Sequence, residues 1–313
     1  MFIRLFVFFF SFCFFVQSAQ ALGIVHYKNM PVKNDWIMGP AKVELVLEPG
    51  ESITREIKVS NRMGKSMEMI VDIEDFTGDN KSVTRLLGDE KGPYSLRNYL
   101  HPEVMNFQLA HGERASLPIE IKIPEDAQPG GLYGSVLINA RSLEEKEAGK
   151  EGINSQISVV SRIGVLFFIR VKGDIETDGR IKTFDTDKNF YKEAPVNFNM
   201  TYDNTGTIYL SPHGVIEIRN FLGKKVDEIE VNPWFVMPGF LRSRSVAWKK
   251  DLAIGKYTAH LNLNRGYEGK IDTAKVSFWI IPIKTVLSIL AIILSISIFI
   301  WWFGRTFEFK RKK

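Results

Sequence analysis

Apolar and polar residues alternate one for one through segment after segment of this chain. A period of two marks β-strands with one buried face. In the first half, Val43, Leu45 and Leu47 alternate with polar or exposed positions. Ile57 and Val59 alternate with Glu56, Lys58 and Ser60. Met67, Met69, Val71 and Ile73 do so with Glu68, Asp72 and Glu74, and Leu117, Ile119, Ile121 and Ile123 with Pro118, Glu120 and Lys122. In the second half the pattern returns at Val196, Phe198, Met200 and Tyr202, and at Tyr257, Ala259, Leu261 and Leu263. Turn signals separate the runs: Glu48-Pro49-Gly50-Glu51, Pro129-Gly130-Gly131, Asp203-Asn204-Thr205-Gly206, and Asn220 to Lys224 through Gly223. Further strands are read at Leu132 to Ala140, Ile157 to Val171, Val215 to Arg219 and Thr273 to Ile281. Pro118 predicts an edge or a bulge. The charged stretch Leu143 to Glu151 predicts an exposed hairpin tip. One helical turn is expected at Ser95 to Leu100, before His101-Pro102.

The fold class expected is all-β: two tandem immunoglobulin-like β-sandwich domains followed by one transmembrane α-helix. The boundaries read as a signal peptide (1–21), a first sandwich (22–172), a second (173–282), the helix (285–303) and a basic cytoplasmic tail (304–313). A weak repeat relates the sandwiches, because Gly131-Leu132-Tyr133 and Gly255-Lys256-Tyr257 each open a penultimate strand.

The ends of the chain carry the expectations about location. Arg4, the uncharged run Leu5 to Val16 and the small-x-small triplet Ala19-Gln20-Ala21 form a signal-peptide pattern, with cleavage before Leu22. Phe12 before Cys13 excludes lipidation there, since a lipoprotein needs a small residue before its cysteine. Thr285 to Phe303 holds 19 residues without a charge, about 28 Å of helix. Arg305, Lys310, Arg311, Lys312 and Lys313 follow it, a topology signal that would hold the tail in the cytoplasm. The expected location is therefore the plasma membrane, single-pass, with the body outside the cell and the lipid bilayer as a partner.

Net charge is +5, yet the body is balanced. Leaving out Arg4 and the tail leaves 35 basic and 35 acidic residues from Leu22 to Gly304. A basic nucleic-acid-binding surface loses its motivation. Cys13 is the one cysteine, so the mature body has no disulfide and no thiolate metal site. A disulfide-free exported chain of this size fits a bacterial envelope.

The turn-and-strand segments Glu48-Pro49-Gly50-Glu51, Ile57-Lys58-Val59-Ser60-Asn61, Asp75-Phe76-Thr77-Gly78 and Tyr94-Ser95-Leu96 resemble those of the WxL-interacting proteins of bacterial cell surfaces. So do Ile121-Lys122-Ile123-Pro124 and Gly130-Gly131-Leu132-Tyr133-Gly134. Asp203-Asn204-Thr205-Gly206, Met237-Pro238-Gly239 and Gly255-Lys256-Tyr257-Thr258 are similar more faintly. The resemblance covers about residues 42 to 172. It implies a non-enzymatic surface protein whose first domain associates with peptidoglycan and whose second associates with protein partners. It supplies no contact residue.

Chemical motifs are scarce. His26, His101, His111, His213 and His260 show no metal-binding spacing. Asp185 to Asn189 begins like a calcium loop but has Phe190 where glycine is required. Asp72, Glu74 and Asp75 before Thr77-Gly78-Asp79 read as an acidic strand end, with a weak calcium site as the alternative. No nucleophile elbow, P-loop or dinucleotide fingerprint occurs, so catalytic residues and cofactors are expected to be none. Trp234, Phe235 and Phe240, in Asn232 to Phe240, form a candidate partner-contact loop; core plugging is the favoured reading of these aromatics.

The leading expectation is a membrane-anchored surface protein that binds peptidoglycan, another surface protein, or both. The alternative is an envelope assembly factor or chaperone working by edge-strand addition, which requires an unpaired edge beside apolar surface. A membrane-tethered hydrolase ranks below both.

Overall fold

A computed structural model of the protein describes residues 22–78, 84–143, 161–250 and 253–306. The cleavage residues Ala19 and Ala21, most of the expected hairpin tip, and the tail residues Lys310, Arg311, Lys312 and Lys313 lie outside them.

The first half contains β1 (Gly23–His26), β2 (Trp36–Gly39), β3 (Lys42–Leu47), β4 (Ser52–Asn61), β5 (Met67–Gly78), β6 (Thr84–Leu86), β7 (Leu100–Pro102), β8 (Asn106–Leu109), β9 (Glu113–Lys122), β10 (Gly130–Ser142) and β11 (Ser161–Val171). The second half contains β12 (Gly179–Thr186), β13 (Phe190–Tyr191), β14 (Val196–Asn204), β15 (His213–Asn220), β16 (Lys225–Val231), β17 (Leu241–Trp248), β18 (Gly255–Asn264) and β19 (Ile271–Ile280). A 3₁₀ turn at Arg97–Tyr99 lies where the helical turn was expected, and α1 (Ile283–Thr306) follows the last strand.

Two immunoglobulin-like sandwiches result. In the first, a sheet ordered β1-β9-β4-β2, with β7 also on β9, faces a sheet ordered β3-β11-β10-β5-β6, with β8 also on β5. The alternation places Ile57, Val59, Leu117, Ile119 and Ile121 of one sheet against Met69, Val71, Val136, Ile138, Phe167 and Ile169 of the other, all nearly or fully buried. In the second, β12-β14-β17 faces β13-β19-β18-β15-β16. Phe198, Met200, Tyr202, Leu261, Leu263 and Phe278 fill the space between them.

Pro118 does not mark an edge strand. β9 lies between β4 and the pair β1 and β7. Pro118 sits where the neighbour changes from β1, which pairs up to Ser116, to β7, which begins at Ile119. Its carbonyl accepts from Glu103 N–H on that side, so its missing donor falls in the gap between two partners and costs the ladder nothing.

In each sandwich the first strand changes sheets. β2 pairs antiparallel with β4, and after Pro40 the chain continues as β3, parallel to β11. β12 pairs antiparallel with β14, and β13 then runs parallel to β19.

The expected membrane anchor is corrected here. α1 forms over the predicted stretch, but among the described residues no helix is long and apolar enough to cross a membrane. Lys284 and Arg305 fall inside the helix. Ser295 and Ser297 donate back to the carbonyls of Ala291 and Ile293. Arg305 lies over the ring of Trp301, 5.4 Å from its centroid. The single-pass topology, the plasma-membrane location and the bilayer as partner rested on that span and fall with it.

Candidate functional site

β11 is the last strand of the first sandwich, and its two halves have different neighbours. Along its whole length it pairs with β10, from Ala140↔Ser161 to Gly130↔Val171. On its other side β3 pairs only with Leu166 to Val171. Leu166 N–H donates to Ala41 O at 3.1 Å and Lys172 N–H to Leu47 O at 2.9 Å, so even-numbered residues turn their backbone groups toward β3. Arg162 and Gly164 therefore turn theirs to the same side, where no strand meets them among the described residues. An unsatisfied strand edge of this kind is a template for another extended chain.

The side chains make this edge chemically distinct. Val165, Phe167, Ile169 and Val171 are buried in the core. Ile163 continues the same face by the period of two, yet it is 36% exposed. The apolar layer thus runs past its cover. Across the opening lies β2, whose Trp36 is buried and whose Met38 packs against the same core. On the outer face Arg162 pairs with Glu74 and lies 3.8 Å from Asp72. Those contacts reach across β10 to β5 and fix the strand without using its free edge.

Other unpaired stretches lack this combination. The outer edge of β3 carries an exposed Lys42–Glu44 pair at 2.7 Å, and charge at an edge discourages added strands. β4 from Ser52 to Ile57 has no partner on the β2 side among the described residues, and its outward side chains Ser52, Thr54 and Glu56 are polar. β19 is paired by β13 only at Trp279 and Ile280, but β12 packs along its flank.

Below the open edge, β11 enters the joint between the sandwiches. Phe168 meets the rings of Phe76, Tyr133, Tyr209 and Phe235 at centroid distances of 5.2, 5.7, 4.9 and 5.2 Å, all edge-on. Such geometry adds about 0.5–1.5 kcal/mol per pair beyond burial. Tyr209 N–H donates to the Tyr133 hydroxyl at 2.7 Å, and the Tyr209 hydroxyl donates to Glu44 at 2.6 Å. Burial, and then the hydrogen bond to Glu44, push the Tyr209 hydroxyl far above its ordinary range. Burial raises the Glu44 carboxyl, but the bonds from Lys42 and Tyr209 outweigh it and leave the group below its usual value.

The aromatics singled out from the sequence are internal. Trp234 is 7% exposed in the second core, while Phe235 and Phe240 pack in the joint. Arg242 lies 4.1 Å from the Phe235 ring centroid and donates to the Phe235 carbonyl at 2.7 Å. The acidic strand end has structural work. Asp75, fully buried, accepts from the N–H groups of Gly92, Leu96 and Arg97 at 3.0–3.1 Å. Among the described residues no group of three or more His, Cys, Asp or Glu side chains could hold a metal ion. Asp79 is outside those residues. His111 uses both ring nitrogens, on Gly64 N–H and Met30 O.

Sequence reading named none of Arg162, Ile163 or Gly164. Its one signal was the apolar alternation Ile163, Val165, Phe167 and Ile169, which continues one residue pair beyond the start of β3.

No family model matches the chain, and no curated protein matches it. The resemblance to the WxL-interacting proteins stands on its quoted motifs alone. Solved structures of similar arrangement include the class 5 fimbriae chaperone CfaA, at 9% identity over 78% of this chain and 99% of that one, TM-score 0.39. The E. coli chaperone DraB follows at 16% identity, 77% and 95% coverage, TM-score 0.36. The Salmonella enterica SafA pilin complex with the SafB chaperone matches at 12%, 77% and 96%, TM-score 0.37. At these scores the likeness carries no functional inference. The membrane-anchored reading is corrected, since among the described residues no helix is long and apolar enough to cross a membrane, and nothing in the structure supports peptidoglycan binding.

Proposed function

We propose that this protein is a non-catalytic binding module that takes an extended segment of a client protein by strand addition at Ser161–Val165 of β11, and so serves as an assembly factor or chaperone for that client. One observation carries the reading: among the described residues no strand pairs with β11 at Arg162 and Gly164, and the core-facing Ile163 between them is left 36% exposed. Main-chain hydrogen bonds would supply affinity, and one apolar side chain of the client laid beside Ile163 would supply selectivity. Covering Ile163 and an equal apolar partner is worth roughly 1–2 kcal/mol by area. Net hydrogen bonds at an edge add about 0.5–1.5 kcal/mol each. The sum predicts weak, reversible capture, as a chaperone requires.

The test uses synthetic 15-residue peptides with strictly alternating apolar and polar positions, and scrambled peptides of equal composition. The full chain should bind the alternating set, and hydrogen exchange at the Arg162 and Gly164 amides should slow on binding. Arg162→Pro deletes the edge donor without touching the β10 ladder, and should weaken binding at least tenfold. Arg162→Ala keeps the donor and should bind as wild type. Binding that leaves those amides unprotected, or that Arg162→Pro does not weaken, would refute the proposal.

A further inference from the structure

The outer face of the second sandwich carries a depression unrelated to the β11 edge. It has a volume of about 510 Å³ and is lined by Arg219 and the β15–β16 turn, by Lys256, Thr258 and His260 of β18, and by Lys275 and Ser277 of β19. The register explains the convergence. Glu217, His260 and Lys275 form one cross-strand row, and Arg219, Thr258 and Ser277 form the next. Residues directly opposite on one face stand about 5 Å apart.

Three properties of this face call for an anion. The first is charge. Arg219, Lys256 and Lys275 bring three positive charges to the depression, and Glu217, bound to Arg219 at 2.9 Å, returns one. The formal sum of these four groups is +2, and neighbouring like charges on a sheet face are unfavourable until neutralised. Lys225 adds to it, since it pairs with Glu228 but also stands 3.9 Å from Glu217, the one carboxylate in the row.

The second is unspent donors. The Nε of Arg219 is enclosed and without a partner, so Arg219 offers the depression its charge and its exposed guanidinium end. Lys256 and Lys275 form no ion pair among the described residues. Thr258 and Ser277 share one hydrogen bond at 3.0 Å between their hydroxyls, in which either is the donor. One hydroxyl proton is thus left over. Two ammonium groups and one hydroxyl beside a guanidinium suit a tetrahedral oxyanion with several acceptor oxygens.

The third is the rim. Phe221 lines the depression and is 73% exposed, with Leu222 beside it at 75%. Exposed neighbouring apolar side chains at the mouth of a cationic depression suit a ligand with an apolar part.

We infer that this depression binds a phosphate monoester, with the dianionic phosphoryl group on Arg219, Lys256, Lys275 and the Thr258–Ser277 hydroxyls, and the organic portion over Phe221. The site is independent of strand capture. No bond is made or broken.

The test titrates the full chain with inorganic phosphate and with phenyl phosphate at constant ionic strength, following the His260 ring signals and the ³¹P linewidth. Both ligands should shift His260 saturably, and phenyl phosphate should bind at least threefold more tightly. Arg219→Gln and Lys275→Met should each weaken phosphate at least fivefold. Phe221→Ser should remove the advantage of the phenyl group and leave inorganic phosphate unchanged. A response that is not saturable would overturn the inference, as would equal affinity in Arg219→Gln and Lys275→Met. Tight phosphate binding without a phenyl preference would overturn the assignment of the rim.

Discussion

The two sandwiches use the same device at the same place and then close their sides differently. Asn61 ends β4 and Asn204 ends β14, and both are fully buried. Each amide donates to the carbonyl four residues on and to a distant one: Lys65 and Leu109 for Asn61, Ile208 and Val236 for Asn204. Each side-chain oxygen accepts from the N–H two residues on, at Met63 and at Gly206. The switched first strand also recurs. In the second sandwich its antiparallel leg is the long one, β12 with eight residues, and it flanks β19. In the first, that leg is β2 with four. The shorter leg leaves β11 uncovered before Leu166. Same topology, with the switch point moved along the strand, leaves β19 a short ladder partner with β12 packed along its flank, and leaves β11 with no described strand beside Arg162 and Gly164.

The largest expected effect tests whether the asparagines are equivalent. Asn61→Ala and Asn204→Ala each remove two bonds to carbonyls and one from an N–H, although the Val236 carbonyl keeps the N–H of Leu210. At about 1–3 kcal/mol per unsatisfied group, partly relieved by relaxation, each should cost roughly 3 kcal/mol in urea unfolding. Both asparagines also have backbone ties: Gly112 N–H donates to Asn61 O, Gly239 N–H to Asn204 O, and Asn204 N–H to Phe240 O. Those bonds survive the substitution, so equal losses support equivalence. A cost in only one sandwich would break it.

The joint should respond next. Phe168→Ala removes the ring shared by four edge contacts and should cost about 3–5 kcal/mol if the joint packs as a core does. A smaller loss with unchanged unfolding of the two sandwiches would identify a loose hinge. The Repeat Gly-x-Tyr sharpens this point. A Cβ on Gly131 would lie 1.9 Å from the Tyr133 hydroxyl, so that glycine makes room for the joint. Gly255 has open space but a φ of 107°, so that glycine serves its backbone. The sequence repeat is real in placement and different in cause.

The pH dependence at the joint is smaller. The Glu44 carboxyl is held below its ordinary value of 4.5, where the unfolded chain titrates. Its contribution is therefore fully present above that value and is lost as pH falls through the lower folded value. The stability gap between wild type and Glu44→Gln should be constant from pH 8 to 6 and should shrink below about pH 4.5. A gap that widens on acidification would mean that Glu44 is a burden on the folded joint.

What was legible in the sequence follows from the same physics. β4, β5, β9, β14 and β18 are half-buried, so their patterns alternate cleanly. β12 and β17 are edge strands with exposed Arg180, Lys182, Ser243 and Ser245, and their weak alternation hid them. The aromatic run Trp234 to Phe240 was visible, but its division between the second core and the joint depends on contacts across both sandwiches. The accepting edge was not legible at all. An unpaired ladder is a statement about where β3 stops, and composition carries no record of register. The apolar stretch after Thr285 was plain in the sequence, and the helix it forms has Lys284 and Arg305 within its bounds.

The smallest expected effect on stability bears most directly on the open side. Ile163→Thr keeps a β-branched side chain, so strand propensity changes little. At 36% exposure Ile163 has much less to lose than the fully buried Val165. Its substitution should cost under about 1 kcal/mol, whereas Val165→Thr buries a hydroxyl in the core and should cost about 1–3 kcal/mol. Peptide capture should show the reverse order: Ile163→Thr weakens it several-fold, because the apolar neighbour of the client side chain is gone, and Val165→Thr spares it in the surviving folded fraction. Should Ile163→Thr instead destabilise as much as Val165→Thr, the side chain is already covered in solution, and the first sandwich is as closed as the second.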